Sequence, residues 1–268
     1  MRQLYIILSI MFLMSAIFAV GMIEPFKKDI SNNDIVDFGD IGPGQTIVVS
    51  IDPMVKEGGR YGQGGQYDQA IATDLPSGWK MKPSKLYGNP LQVEITADKD
   101  AKPGDYSFKI TIMDEFYGEQ LNNVTFTTKV KINWNVLDVN IDSDKQTAGP
   151  GQPARYTIDI RNKGTTSDVF EIKSHGMKRS EFKKYVYVPG KSNKQIIYEM
   201  TENEEGTYSP TLSITSTASD NIKIEKKVTL SVSSDLKGDY RATNSGVVVF
   251  PIFESLISSL AGLISNFI

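Results

Sequence analysis

Apolar and polar residues alternate in short runs along most of this chain. Ile47, Val49 and Ile51 are separated by smaller or polar residues, and so are Tyr156, Ile158 and Ile160. A period of two is the mark of a strand with one buried face. The same phase groups Tyr106, Phe108, Ile110 and Ile112, and later Tyr208, Pro210, Leu212 and Ile214. Two closing runs follow, with Val124, Phe126, Val130 and Ile132 in the first and Val228, Leu230 and Val232 in the second. No helical stretch interrupts either series.

The runs fall into two matching copies. Each is opened by the phrase "GPGQ", at Gly42-Pro43-Gly44-Gln45 and at Gly149-Pro150-Gly151-Gln152. Proline fixes φ and glycine accepts positive φ, so each phrase predicts a tight turn into a strand. Gly104 and Gly206 introduce the second run of each copy in the same way. Short strands with turn signals between them, over roughly 100 residues per copy, predict an all-β chain of two tandem Ig-like β-sandwiches. The copies occupy residues 22–136 and 137–234. The join, "KINWNVLDVNIDSD", has no flexible spacer and predicts a stiff rod.

The opening of the second copy, "AGPGQPARYTIDIRNKGTTSDVFEI", resembles CARDB-like and alpha-galactosidase-associated Ig-like modules. Those modules run as a Pro-Gly turn, a strand, Asn-x-Gly and a second strand. Asn162, Lys163 and Gly164 supply that turn here, and "LPSGWKMKPS" is similar to the Pro-x-Gly-Trp phrase of the same modules. The resemblance implies a fold and the setting of prokaryotic surface proteins, archaeal ones among them. It implies no activity, because such modules also stand beside many enzymes. The first copy departs from it by a glycine-rich excursion, "PMVKEGGRYGQGGQYDQA".

Both ends of the chain are apolar. Residues 1–21 carry one arginine and then a run from Leu4 to Val20, with small residues at Ala19 and Gly21 as a signal peptidase reads them. This is the pattern of a secretory signal helix. An uncleaved anchor is the rival, since the run is near the shortest span that crosses a bilayer, about 17 residues. Residues 235–268 read as a tether and an amphipathic helix. At 3.6 residues per turn, Phe253, Leu256, Ile257, Leu260, Leu263, Ile264 and Phe267 share one half with other apolar residues. The opposite half holds serine, asparagine, glycine and Glu254. That helix is the candidate contact to a membrane or a membrane-protein partner. Self-association and folding back on the sandwich stand as alternatives.

Composition narrows the chemistry. The 268 residues carry a net charge of −3 and no basic stripe, which argues against a nucleic-acid partner. There is no cysteine and a single histidine, His175. Thiolate metal sites and cysteine nucleophiles are excluded, and His175 has no motif partner. No catalytic residue, metal ligand or cofactor is assigned, and the chain reads as a non-enzyme. Asp138, Asp142 and Asp144, like Asp98 and Asp100, lack the spacing of a calcium loop, so the joint is expected to be stiff without calcium. The excursion offers a candidate ligand surface in Arg60, Tyr61 and Tyr67, with Trp79 as a further exposed aromatic. Asn123 opens an N-glycosylation sequon.

These features predict an exported, non-catalytic envelope protein, a spacer or recognition rod held by its C-terminal helix. A carbohydrate- or envelope-polymer-binding module, or an accessory subunit of a membrane complex, are the alternatives.

Overall fold

A computed structural model describes residues 19–116, 118–177 and 183–234, and these contain strands and turns with no helix. The first sandwich begins with β1 (Val20–Glu24), β2 (Lys28–Ile30), β3 (Ile35–Ile41) and β4 (Thr46–Ile51). A small hairpin of β5 (Met54–Val55) and β6 (Gly65–Gln66) follows inside the glycine-rich excursion. The sandwich is completed by β7 (Gln69–Thr73), β8 (Lys80–Lys82), β9 (Leu91–Thr96), β10 (Gly104–Met113) and β11 (Val124–Ile132). Its layers have the strand orders β2-β1-β4-β9-β8 and β3-β11-β10-β7. Among the described residues of this sandwich, β3 and β11 are the one pair of parallel neighbouring strands.

The second sandwich holds β12 (Leu137–Ile141), β13 (Lys145–Ala148), β14 (Ala154–Asn162), β15 (Asp168–His175), β16 (Lys184–Val188) and β17 (Asn193–Met200). It closes with β18 (Gly206–Tyr208), β19 (Thr211–Ser216), β20 (Lys223–Lys227) and β21 (Thr229–Val232). One layer is β12-β14-β17. The other is interrupted, with β13-β21-β18 continuing into β16-β15-β19-β20. The break falls at Pro210, which has no N–H for the ladder. Its carbonyl still accepts the N–H of Val228, at 3.0 Å, in the gap of the neighbouring line. As in the first copy, one pair is parallel, β13 with β21.

The inward faces carry the alternating residues read from the sequence. Ile47, Val49, Ile51, Ile110, Ile112 and Phe126 meet in one core, which runs from Val20 to Ile132. Tyr156, Ile158, Ile160, Leu212, Ile214 and Leu230 meet in a second, from Val136 to Val232. Each copy also has a tyrosine whose hydroxyl reaches back four residues. Tyr106 donates to the carbonyl of Lys102 at 3.0 Å, and Tyr208 to that of Glu204 at 2.9 Å. Such tyrosine corners are a hallmark of Ig-like sandwiches. With the strand orders above, they establish a tandem Ig-like fold.

The first sandwich begins inside the apolar N-terminal run. Val20 and Met22 are buried, and Val20 pairs with Ile30 across β1 and β2. Val20 and Gly21, the last residues of that run, thus pair within β1. An apolar run that ends in a buried strand looks continuous with that strand, so the sequence hid the boundary. The leader helix and the C-terminal helix, with Phe253, Leu256, Ile257, Leu260, Leu263, Ile264 and Phe267, lie outside the described residues.

Tyr156 gives the second core a pH dependence. Its hydroxyl donates to the carbonyl of Thr229 at 2.8 Å, and burial, with Asp144 nearby, pushes its pKa up to about 12. A folded-state pKa above the ordinary 10.0 means this group's stabilising contribution is complete below pH 10 and lost as pH rises toward 12. In a spectrophotometric titration, one tyrosine of the second sandwich should ionise only with alkaline unfolding. Tyr156→Phe should remove that late step.

Candidate recognition surface and the junction behind it

In each sandwich, the end at which β4 or β14 begins is here called lower, and the end at which it finishes is called upper. The first "GPGQ" turn lies at the lower end of the first sandwich and is pressed into the upper end of the second. The side chain of Gln45 is buried there. Its Oε1 accepts the N–H of Gly42 at 2.7 Å and the Thr166 hydroxyl at 2.7 Å. Its Nε2 donates to Asp168 Oδ2 at 2.7 Å. Thr165 adds its N–H and hydroxyl to the carbonyl of Asp40, at 2.8 and 3.0 Å. Ser219 and Asn221 donate to the carbonyl of Lys99, at 2.7 and 3.3 Å.

The two glycines of the turn are required by contact. A Cβ on Gly42 would stand 2.3 Å from Ile222 Cδ1. One on Gly44, at φ +70°, would stand 2.1 Å from the carbonyl oxygen of Ala218. Asp168 is a buried carboxylate at this joint. Burial pushes its pKa up, against hydrogen bonds from Gln45, Ser216 and the Val169 N–H that lower it. Its contribution to stability is therefore greatest in acid and is lost as pH rises through its raised value.

At the upper end of the first sandwich, three connections converge: β4 to β7, β8 to β9 and β10 to β11. Asp68 ties them together. Its carbonyl accepts the N–H of Tyr87, and its carboxylate accepts the N–H of Phe116 at 2.5 Å. Arg60 donates its N–H to the carbonyl of Glu119 at 2.7 Å, which holds the excursion against the β10–β11 loop. The surface that results displays Tyr61, Leu86, Tyr87 and Phe116, with Tyr61 79% exposed. The Arg60 guanidinium lies 5.6 Å from the centre of the Tyr61 ring. Exposed aromatic and arginine side chains on loops carried by a rigid sandwich suit recognition.

Of the four residues expected at a ligand surface, Arg60 and Tyr61 lie exposed on these loops and two are buried. Tyr67 is 2% exposed, with its hydroxyl donated to the carbonyl of Asn122 at 2.8 Å. Trp79 is 7% exposed at the other end of the sandwich, its ring centre 5.6 Å from that of Tyr106 and 5.9 Å from that of Phe108. An aromatic beside glycine and charge looks the same in sequence whether it faces a loop or a core. Leu86, Tyr87 and Phe116 were missed. Their signal was an apolar residue beside a glycine, in "KLYGNP" and "DEFYGEQ", at loops that only the fold brings together.

The remaining candidates are scattered. Asn123 is exposed in the β10–β11 loop, at the same upper end. His175 is half-buried on β15, opposite Thr211. Asp98 and Asp138 accept nearby main-chain N–H groups, from Asp100 and Val139. Among the described residues, no group of three or more His, Asp or Glu is placed to hold a metal ion.

No family model matches the chain, and neither does any curated protein. Among solved structures, it is similar to the CARDB domain of a Pyrococcus furiosus protein in complex with di-metal ions. That likeness has 17% identity and a TM-score of 0.29, over 36% of this chain and 87% of that one. The D00-D0 domain of intimin is similar at 16% identity and a TM-score of 0.26, over 79% of this chain and 98% of that one. Red sea bream transglutaminase is similar at 12% identity and a TM-score of 0.30, over 87% of this chain and 33% of the enzyme.

Proposed function

We propose that this chain is a non-catalytic, exported envelope rod that presents the loops at its upper end to a partner and is tied at its lower end to a membrane or an assembly. One observation carries the reading. The exposed aromatic loops lie at the upper end of the first sandwich, while β21 runs out of the lower end of the second toward residues 235–268. The junction between them is built from direct side-chain and main-chain hydrogen bonds, which suits a spacer that keeps the two ends apart. The apolar half of the C-terminal helix supports attachment. Each side chain buried there would contribute about 1.5–3 kcal/mol, and the polar half favours a membrane boundary or a helix partner over surrounding lipid.

Leu256, Leu260 and Leu263 replaced together by serine should release the protein from detergent into the aqueous phase as a monomer, with the melting of both sandwiches unchanged. Loss of the second sandwich's melting transition in that variant would put the helix in the domain core and defeat the attachment. The envelope-polymer alternative retains Tyr61 but loses Tyr67 and Trp79 to the interior.

A further inference from the structure

The second "GPGQ" turn is built like the first. Gln152 donates its N–H to the carbonyl of Gly149 at 3.0 Å, as Gln45 does to Gly42 at 3.3 Å. Gly151 donates to the carbonyl of Glu202 at 2.8 Å, as Gly44 does to Asp98 at 3.0 Å. Gln152 Oε1 caps the N–H of Gly149 at 3.4 Å. The turn therefore presents the same amide at the lower end of the second sandwich that Gln45 presents at the lower end of the first.

What differs is the other side. Among the described residues, nothing accepts from Gln152 Nε2, and a Cβ on Gly149 would find its nearest neighbours, at 3.0–3.3 Å, in Gln152 itself. Gly42 is needed because a neighbouring module approaches it, and Gly149 has no such neighbour among these residues. Glu202 supplies an independent sign. The residue is 3% exposed, Oε1 accepts the N–H of Asn203 at 3.0 Å, and among the described residues Oε2 has no hydrogen-bond partner. A buried acceptor left empty costs about 1–3 kcal/mol, more when charged. Glu202 takes the place of Asp98 in accepting from the turn glycine, while the ladder, with Ile47 opposite Ile95 and Ala154 opposite Met200, sets it level with the buried Ala97. In the existing junction the carbonyl of Lys99 receives Ser219 and Asn221. Donors arriving in the same way on this face would meet the loop after β17, which holds the empty oxygen of Glu202.

We propose that the lower end of the second sandwich is a docking face for the upper end of a further β-sandwich module on a partner polypeptide. That module would offer a carboxylate to Gln152 Nε2 and hydroxyl or amide donors beside Glu202, as Asp168, Ser219 and Asn221 do one step up the rod. A second copy of this chain lacks an open socket. Its own second sandwich is already filled by Gln45. In its first sandwich, Ala70 lies opposite Ile112 as Ile172 lies opposite Ile214, so the place of Asp168 is taken by Gln66, an amide in place of the carboxylate.

The test uses the chain's own socket as the probe. A copy of residues 133–234 is inserted after Ser234, with residues 235–268 kept behind it. Because the chain has no cysteine, spin labels on introduced cysteines report single distances by double electron–electron resonance. The distance from the second sandwich to the insert should be one narrow peak, matching the peak between the first and second sandwiches. Gln152→Glu keeps the cap on Gly149 but puts an acceptor against a carboxylate, so the new peak should be lost while the original one stays. Gln152→Ala should have the same effect. A broad distribution before any substitution, or a narrow one that survives both variants, would overturn the docking face.

Discussion

Gly44→Val will uncouple the two sandwiches. The new side chain must start 2.1 Å from the carbonyl oxygen of Ala218, which is backbone of the other sandwich and has little room to retreat. At φ +70° a β-branched residue also carries a left-handed penalty of roughly 1–2 kcal/mol. Relief comes most easily by moving the modules apart. That breaks the bonds of Gln45 to Asp168 and Thr166 and those of Thr165 to Asp40. A hydrogen bond to a charged group is worth about 1.5–3 kcal/mol, so the joint should not re-form in a shifted register. The two cores share no residue, and each sandwich should stay folded. Small-angle scattering should change from a rod to a flexible pair, and the amide resonances of residues 216–222 should move. Scattering that stays rod-like would mean the turn is not what holds the joint.

The second large effect concerns the tryptophan that the sequence suggested as a ligand platform. Trp79→Ala should destabilise the first sandwich by about 3–5 kcal/mol, the usual range for emptying a buried aromatic site. At roughly 4–8 °C per kcal/mol for a domain of this size, its melting temperature should fall by tens of degrees. The cavity opens against Phe108 and Tyr106, so the tyrosine corner should loosen as well. Tyr61→Ala, by contrast, should leave melting almost unchanged, because that ring is held only over Arg60 at the surface. Calorimetry on the two variants separates core from surface. Unchanged melting for Trp79→Ala, together with loss of binding to an envelope polymer, would return Trp79 to a ligand site.

Alternation and turn chemistry by themselves determined the strands, the inward faces and the duplication. Those are local properties: a strand buries every second side chain, and proline and glycine admit few backbone shapes. The resemblance of both "GPGQ" phrases was legible for the same reason. What the first phrase does was not legible, because Gln45 meets Thr166 and Asp168 across more than a hundred residues of chain. The surface at the upper end was half legible. Arg60 and Tyr61 sit in a glycine-rich run that announces a long loop, whereas Tyr87 and Phe116 join them only through Asp68, a carboxylate with no motif around it. Burial separated Tyr61 from Tyr67 and Trp79, and burial depends on which layers close over a side chain. That is decided by the packing of two sheets, and no short stretch of sequence contains both.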